Sequence, residues 1–357
     1  MTKLNIGMIG VGFIGQLAHL MNFIEVHNCR VKALAELKPE LRKKVATRYS
    51  IPKTYASHTD LLQDDEIDAV VVVTPRVFTG PVVLDCLNAG KHVLSEKPMV
   101  GCKKKGKLLL EAASKNNVKY TVGYMKRYDE GVAVAKSILD EALHTGNLGS
   151  ILSVHAKCYM GNSYCNAYGH IVTQESIDTS VIGWKVAPQW LSEEYHQRFD
   201  AYLNTYSHVT NLLRYLFNYM PSVEFVNLTK NNGQLVVLGF NGFLATLETG
   251  RMSHHGWSEE IKIIFTDGEI SLSLPPALLR NVPASVEIYR AGKIQQLIRP
   301  LINWSWTFRR QAEAFVIDIL EERPSLIAAE EAYREVLLAE AIWESEIKRH
   351  RIGISYD

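Results

Sequence analysis

The stretch Gly10-Val11-Gly12-Phe13-Ile14-Gly15 lies between a predicted strand, residues 4–9, and a predicted helix, residues 13–26. A second predicted strand, residues 30–35, completes a strand–helix–strand unit. In such a unit the first glycine permits a tight turn, the second lets the backbone approach a pyrophosphate, and the third lets the helix pack against the strand. Phe13 and Ile14 open the helix, whose free N–H groups would bind the phosphates. The stretch therefore predicts a dinucleotide-binding Rossmann domain.

One acidic residue favours NAD over NADP as the dinucleotide. Glu36 ends the second predicted strand 21 residues after Gly15, where a carboxylate would hydrogen-bond the adenosine ribose hydroxyls. The same carboxylate would repel the 2′-phosphate of NADP, so NAD is the predicted cofactor. Lys38 lies close by and keeps NADP open as the less favoured alternative.

Strand and helix patterns continue to alternate up to residue 123, which predicts a doubly wound parallel sheet. Thr74 and Pro75 follow a strand predicted at residues 67–73, where they would line the nicotinamide side of the site. A simple turn at the end of the strand explains these two residues equally well. The remaining predicted elements of this part are helices at 80–88 and 103–117 and a strand at 119–123.

A lysine is placed at the edge of the same sheet. Val93 and Leu94 form a short buried strand, and Glu96 and Lys97 follow it at the edge where open α/β sheets bind ligands. Pro98 cannot continue a strand and holds Lys97 in an extended backbone. The alternative is an ordinary exposed lysine on a strand-to-helix loop.

The pattern changes after about residue 149, which predicts a second domain with an antiparallel sheet and helices on one face. Asn232-Gly233, Asn241-Gly242 and Asp267-Gly268 are dipeptides typical of hairpin turns. We place the boundary between a Rossmann domain, residues 1–123, and an α+β domain, residues 124–357, that binds substrate and forms oligomers. An open sheet face needs a cover, which predicts a homodimer or homotetramer. The predicted strands are 151–159, 222–229, 234–240, 244–249, 260–266 and 286–289, with helices at 204–217, 306–321 and 328–348.

Composition points to a small-molecule partner. Lys plus Arg number 39 against 38 Asp plus Glu, so the chain has no basic field for nucleic acid. Its longest apolar runs, such as residues 69–74, are too short to span a bilayer, and no leader opens the chain, so we expect a cytoplasmic protein. The five cysteines lack metal spacing, and the adjacent His254 and His255 would point to opposite faces of a strand, so no metal is predicted.

These motifs together resemble the glucose-fructose oxidoreductase, inositol dehydrogenase and rhizopine catabolism family, abbreviated Gfo/Idh/MocA. The resemblance runs through the glycine motif, Glu36, Thr74-Pro75 and the segments 89–98, 123–128, 203–208 and 308–346. It implies an NAD(P)-dependent dehydrogenase acting on CH–OH groups, which transfers a hydride between the nicotinamide and a secondary alcohol or ketone of a sugar, nucleotide sugar or cyclitol. Arg127 completes the cofactor contacts predicted from these motifs.

The resemblance also implies roles for individual side chains. His208 matches a family histidine that acts as acid and base on the substrate hydroxyl, and Lys97 would stabilise the alkoxide. Glu96 would position Lys97 and the cofactor. Asn204 stands where relatives carry an acid, on the same predicted helix face as His208, and an amide gives the histidine no charge. Thr79 and Asn211 also differ from family positions that often hold histidine and aspartate.

Three hypotheses about function remain. The first is the NAD-dependent dehydrogenase, and the second is an enzyme with tightly bound NAD that eliminates or hydrolyses a glycoside through transient oxidation. The third is a non-catalytic regulatory protein that binds NAD and sugar, which the neutral Asn204 makes plausible. Residues 161–198 are rich in aromatic side chains, which would form a lid or sugar platform or simply pack a long loop.

Overall fold

The computed structural model describes residues 3–176, 183–228, 233–349 and 353–354, which form two compact units. The first unit comprises Met1–Tyr124, Ala167–His196 and Phe308–Val336. The second comprises Met125–Asn166, Gln197–Thr307 and Leu337–Asp357. The first unit thus includes segments far beyond residue 123 in the chain. The domain boundary proposed between residues 123 and 124 stays a prediction.

The first unit contains the predicted parallel sheet. Its six strands are in the order β3-β2-β1-β4-β5-β6, and every pair is parallel, so the strand order reverses between β1 and β4. Val70 to Val72 are fully buried, as expected for a strand covered on both faces. The strands are β1 (Leu4–Ile9), β2 (Cys29–Ala35), β3 (Lys53–Tyr55), β4 (Ala69–Val72), β5 (His92–Ser95) and β6 (Tyr120–Val122).

The helices of this unit differ from the predictions in three respects. The helix after the glycine motif is present, but its segment Gly15–Leu20 is a π-helix. The helix predicted at 80–88 begins earlier, at Arg76, and α2, α3 and β3 were not predicted. Here α1 is Met21–Glu25, α2 is Pro39–Tyr49, α3 is His58–Leu62, α4 is Arg76–Asn88 and α5 is Lys103–Lys115.

The second unit contains an eight-stranded sheet in the order β14-β13-β12-β11-β7-β10-β9-β8. Among the described strands, β10 and β7 form its one parallel pair, so the predicted, mainly antiparallel sheet is confirmed. The strands are β7 (Ile151–Met160), β8 (Ser222–Leu228), β9 (Gln234–Phe240), β10 (Phe243–Arg251), β11 (Trp257–Phe265), β12 (Gly268–Ser273), β13 (Ser285–Arg290) and β14 (Gln296–Ile298).

Two of the three predicted hairpin turns are confirmed. Asn241-Gly242 joins β9 to β10, and Gly242 has the positive φ of 92° that such a turn requires. Asp267-Gly268 lies at the junction of β11 and β12, an antiparallel pair whose second strand was not predicted. Asn232 lies outside the described residues, as does Thr229 at the end of a predicted strand.

The remaining helices are mostly those expected from the sequence. Helix α6 (Glu130–Thr145) was not predicted, and it begins with the Asp129 carboxylate accepting the N–H groups of Gly131 and Val132. In the first unit Phe315 of α9 packs edge-on against Phe23, with ring centroids 6.2 Å apart. No helix in the described part of the chain is long and apolar enough to cross a membrane. The other helices are α7 (Glu193–Thr205), α8 (Ser207–Phe217), α9 (Thr307–Leu320) and α10 (Ala329–Lys348).

Candidate cofactor and catalytic residues

Four of the predicted elements of the cofactor site meet at the carboxyl edge of the parallel sheet. The glycine turn follows β1, and Glu36 follows β2. Thr74-Pro75 follows β4, and Glu96-Lys97 follows β5. Because β1 and β4 are neighbours where the strand order reverses, these residues surround the place where open α/β sheets bind ligands.

The three glycines of the turn have different surroundings. A Cβ on Gly10, whose φ is +86°, would lie 2.2 Å from the Val73 carbonyl oxygen, and one on Gly15 would lie 2.5 Å from the Gly10 oxygen. Gly10 and Gly15 therefore pack against the chain itself. A Cβ on Gly12 would meet nothing within 4 Å, so the space beside it is open. That open side, next to the first N–H groups of the following helix, fits a dinucleotide pyrophosphate.

The Glu36 carboxylate faces the same turn. Its Oε2 accepts the Val11 N–H at 3.0 Å and its Oε1 accepts the Lys38 N–H at 3.1 Å. An ionised carboxylate has about four acceptor positions, so about two remain for ribose hydroxyls. The geometry fits the predicted ribose contact, which stays a prediction.

Thr74 and Pro75 form the junction between β4 and α4. The Thr74 and Thr79 hydroxyls lie 3.1 Å apart, and Thr79 is buried. Thr79, which differs from the family histidine, therefore serves here as a local partner of Thr74. The exposed Pro75 precedes the first residue of α4, as expected for a strand-ending turn, and its contact with the nicotinamide stays a prediction.

A buried histidine that the sequence did not indicate contacts the lysine motif. His19 is 2% exposed, and its Nε2 lies 2.8 Å from Glu96 Oε1, while its ring packs edge-on against Phe308 at 5.4 Å. Burial tends to raise the pKa of Glu96, but the His19 hydrogen bond and the charges of His19 and Lys97 outweigh it and lower that pKa. In the sequence His19 is marked only by its position one helical turn after the third glycine. That position does not predict a contact with Glu96 unless the fold is known.

Lys97 directly follows Glu96 in the chain. Its backbone N–H donates to Glu96 Oε2 at 3.1 Å, its side chain is half-buried, and the peptide bond to Pro98 is cis. The π-helical segment Gly15–Leu20 places His19 beside Glu96, and π-helical turns are common at functional sites. His19, Glu96 and Lys97 thus form a charge array at the sheet edge.

We expect His19→Phe to destabilise the protein by about 1–3 kcal/mol at neutral pH, because it removes the His19 hydrogen bond to Oε1 of the poorly exposed Glu96 carboxylate. In the wild type the lowered pKa of Glu96 adds stability above the ordinary carboxyl pKa of about 4.3, and this is lost as the pH falls through the folded value. In the variant the His19 contribution is lost while burial and the Lys97 contacts remain, so the pKa of Glu96 should lie higher than in the wild type and the stability difference should shrink on acidification. Urea unfolding from about pH 7 to about pH 3 measures the difference in stability.

The matched control is His27→Phe, which makes the same substitution at an exposed position just after α1. It should change stability by less than about 0.5 kcal/mol at every pH. A His19→Phe variant whose loss of stability does not depend on pH would contradict the coupling between His19 and Glu96.

The helix predicted at about 204–217 is present in the second unit but begins at Ser207, and a separate helix precedes it. Asn204 lies in the last turn of α7, which ends at Thr205, and His208 lies in the first turn of α8, which begins at Ser207. The Ser207 hydroxyl donates to the Leu203 carbonyl oxygen at 2.8 Å, a contact that competes with helical hydrogen bonding and bends helices. Asn204 is exposed whereas His208 is 8% exposed, so the two side chains differ in burial and their shared helix face stays a prediction.

Two of the alternative proton carriers near this break are deeply buried. Tyr202 is fully buried, and Tyr206 is 5% exposed. Burial raises the pKa of Tyr206 to about 12, so this phenol is a poor base at neutral pH. The third alternative, Asp200, is half-buried on α7. Within the second unit, His208 is thus a better general base than Tyr206.

Arg127 is buried in the second unit, and its contacts there organise the start of this unit. Its Nε donates to Asn211 Oδ1 at 2.6 Å and its Nη2 donates to the Asn211 carbonyl oxygen at 3.0 Å. The guanidinium also lies over the Tyr215 ring, 5.1 Å from the centroid. Asn211, one of the departures from the family, therefore binds Arg127, whose role in cofactor binding stays a prediction.

The other candidates from the sequence fall at scattered places. His254 and His255 lie in an exposed loop between β10 and β11, so the premise that they sit on a strand is wrong. Across the described ranges no group of three His, Cys, Asp or Glu side chains could hold a metal ion.

In the aromatic stretch, Trp184 packs under Lys105, whose Nζ lies 4.5 Å from the ring centroid, while Tyr168 is 82% exposed. Residues 177–182 of this stretch lie outside the description.

Residues 4–124 match the family model GFO_IDH_MocA, described as an oxidoreductase family with an NAD-binding Rossmann fold. Over residues 4–124 this match agrees with the resemblance to the Gfo/Idh/MocA family that the motifs indicate. Because the match covers the first unit's sheet and its carboxyl edge, it includes the glycine turn, Glu36 and Lys97.

Known relatives resemble the chain over part or all of its length. Inositol 2-dehydrogenase from Salmonella typhimurium is 27% identical over 215 residues, which are 59% of this chain and 61% of that protein. Levoglucosan dehydrogenase from Pseudarthrobacter phenanthrenivorans is 30% identical over 160 residues, covering 43% of this chain and 40% of that one. Both alignments thus span less than two thirds of the length of these curated relatives.

The fold of the whole chain matches solved structures. A levoglucosan dehydrogenase in complex with NADH and levoglucosan has a TM-score of 0.76 at 20% identity, covering 98% of this chain and 99% of that one. At this identity the match establishes the fold alone. It confirms a Rossmann domain followed by a mainly antiparallel α+β domain.

Proposed function

We propose that this protein is an NAD-dependent dehydrogenase that oxidises a secondary alcohol of a sugar, nucleotide sugar or cyclitol, or reduces the corresponding ketone. The observation that carries the proposal is a glycine turn open at Gly12 at the same sheet edge as the His19–Glu96–Lys97 array. The names of the relatives, inositol 2-dehydrogenase and levoglucosan dehydrogenase, support this substrate class.

The first unit would hold the cofactor and supply a cation. Gly12 and the N–H groups of Phe13 and Ile14 would bind the pyrophosphate, and Glu36 the adenosine ribose. When bound, the nicotinamide supplies the redox chemistry as hydride acceptor or donor. Lys97, held by Glu96, would donate a hydrogen bond to the reacting oxygen and stabilise the negative charge that develops on it.

The second unit would supply the proton carrier. His208 would take the proton from the substrate hydroxyl during oxidation and return it during reduction. Asn204 would orient the polar surroundings of His208 without adding charge. The roles of Lys97 and His208 are proposals that rest on the family resemblance and on the chemistry of these side chains.

A screen of sugars, nucleotide sugars and inositols with NAD, followed by NADH absorbance, tests the proposal. We expect at least one polyol to give NADH at a rate that depends on enzyme concentration. Substrate turnover without net release of NADH would instead support the enzyme with tightly bound NAD. Binding of NADH with no turnover of any polyol would contradict the dehydrogenase and support the regulatory protein.

Asn204→Asp tests whether the asparagine limits activity. A carboxylate at this position would stabilise a protonated His208, so we expect kcat for polyol oxidation to rise by up to about tenfold. Gln197→Glu adds the same charge at an exposed position of α7 and should leave kcat unchanged. An unaltered kcat in Asn204→Asp would mean that the break between α7 and α8 separates residue 204 from the proton transfer.

We also propose that the protein forms a homodimer or homotetramer through the sheet of the second unit. Leu152, Phe225 and Leu244 lie on its strands and are 58%, 48% and 51% exposed. Light scattering after size exclusion should give a mass of two or four chains. Leu244→Lys should reduce the measured mass, because it places a charge in the apolar contact between chains.

A further inference from the structure

A segment from the middle of the chain lies along the cofactor edge of the first unit. We call residues 167–176 the strap. Gln16, which is fully buried, donates from Nε2 to the Ile171 carbonyl oxygen at 3.0 Å and accepts the Ile171 N–H at 2.8 Å. The same Nε2 donates to the Val11 carbonyl oxygen at 2.7 Å, so one side chain ties the strap to the glycine turn. His170 also packs edge-on against Phe13, with centroids 4.9 Å apart.

The strap continues to the first turn of α2, where it ends in a carboxylate cap. Glu175 Oε1 accepts the Glu40 N–H at 2.8 Å, and its Oε2 accepts the Leu41 N–H at 3.0 Å and the Thr173 hydroxyl at 2.8 Å. Burial tends to raise the pKa of Glu175, but these donors and the Lys38 charge outweigh it and lower that pKa. At the other end of α2, Arg48 donates to the Gly169 carbonyl oxygen. The strap is thus fixed to both ends of α2.

The N-terminus of a helix normally attracts anions, because its first N–H groups lack helical partners. In α2 the chain's own Glu175 occupies two of these donors. Glu36 accepts the N–H of Lys38, two residues before Glu40, so the donors for the two carboxylates are at most roughly 7 Å apart along the chain. Two negative charges therefore share the corner between β2 and α2.

This corner is where the adenosine ribose of a dinucleotide binds in a Rossmann fold, and where the 2′-phosphate of NADP would lie. We propose that Glu175 is a second residue that determines cofactor specificity, acting with Glu36 to exclude NADP. Glu175 fills N–H groups that a phosphate would use and adds a charge that repels it. The inference rests on the proposed function, because it assumes that the glycine turn binds a nicotinamide dinucleotide.

The inference predicts different effects on nucleotide binding for the loss of Glu36 and the loss of Glu175. Glu36 has acceptor positions left for ribose hydroxyls, so its loss should weaken NADH binding. Glu175 has three donors already and would contact no part of NADH, so its loss should leave NADH affinity within about twofold. Removing Glu36 alone should not create NADPH binding, because the Glu175 charge remains at the corner.

The experiment is to titrate the full-length protein with NADH and with NADPH and to follow nicotinamide fluorescence. The variants are Glu36→Gln, Glu175→Gln and the double variant, with Glu175→Lys as a second change at the strap. Glu40→Gln is the control, because it removes a negative charge from the same helical turn. The Glu40 side chain is about half exposed and pairs with Lys44.

We expect the double variant to bind NADPH at least about tenfold more tightly than Glu36→Gln does. We also expect Glu175→Lys to bind NADPH more tightly than Glu175→Gln does. Glu40→Gln should change NADPH affinity by less than about threefold. Normal NADH binding by the wild type, with NADPH affinity unchanged by either Glu175 substitution, would overturn the inference and leave the proposed function standing. A wild type that binds neither nucleotide would overturn both.

Discussion

Lys97→Ala is expected to lower kcat by about 10² to 10³-fold with the polyol found in the screen, while NADH affinity stays within about threefold. A donor aimed at a developing negative oxygen contributes about 2.7–4 kcal/mol to the transition state, and alanine removes it without blocking the cofactor. The lysine is half-buried, its backbone N–H donates to Glu96, and its charge lowers the pKa of that carboxyl, so the cation lies near Glu96 at the sheet edge. Steady-state kinetics with a parallel NADH titration measures both quantities.

Lys104→Ala is the matched control for this variant. Lys104 is an exposed lysine seven positions further on, in the first turn of α5, so its removal should leave kcat unchanged. An unchanged kcat in Lys97→Ala would contradict the proposed mechanism, whatever the effect on binding. A fall in kcat together with lost NADH binding would show instead that Lys97 serves the cofactor site.

His208→Ala distinguishes the proton carrier from the charge-stabilising group. Loss of a general base costs about 10² to 10⁴-fold, so both variants should be severely impaired. Normal activity in His208→Ala, with Lys97→Ala inactive, would assign the proton to another group. Asp200 would then be the first candidate, because the raised pKa of Tyr206 makes that phenol a poor base.

Gly12→Ala is expected to abolish measurable NADH binding, or weaken it by at least about tenfold, while leaving the folded chain as stable as before. A Cβ on Gly12 would meet nothing in the protein, and the backbone there is outside the left-handed region that favours glycine. The added methyl group would instead occupy the open side where a pyrophosphate approaches the backbone. Fluorescence titration and thermal unfolding without nucleotide measure the two effects.

Gly10→Ala is the contrasting variant, because the same methyl group would collide with the protein itself. It would lie 2.2 Å from the Val73 oxygen at a φ of +86°. We expect a loss of stability of about 3 kcal/mol or more. Equal destabilisation by Gly12→Ala and Gly10→Ala would show that the turn is purely structural and would argue against a nucleotide at Gly12.

The sequence was sufficient for the parts of the site whose signals are local. The glycine turn, Glu36 and Lys97 each lie at the end of a strand that short-range alternation predicts. Parallel strands all end at one edge, so identifying the strands also places these residues together. The same local signals predicted the hairpin at Asn241-Gly242 and most of the antiparallel strands.

Other parts depend on contacts between residues far apart in the chain. His19 and Glu96 are 77 positions apart, and Gln16 and Ile171 are 155 apart, so no local pattern connects them. The start of the helix predicted across 204–217 was misplaced for a different reason. Helix α7 ends at Thr205 and α8 begins at Ser207, whose hydroxyl donates to the Leu203 carbonyl oxygen across the junction.

By itself the sequence determined the fold class and the residues at the carboxyl edge, because strand periodicity and glycine requirements act over a few neighbouring residues. Only the tertiary structure decided what surrounds those residues. It placed the buried His19 against Glu96 and the strap carboxylate of Glu175 on the first turn of α2. Such partners are selected by packing and by the need to satisfy buried hydrogen bonds, which depend on the position of the whole chain in space.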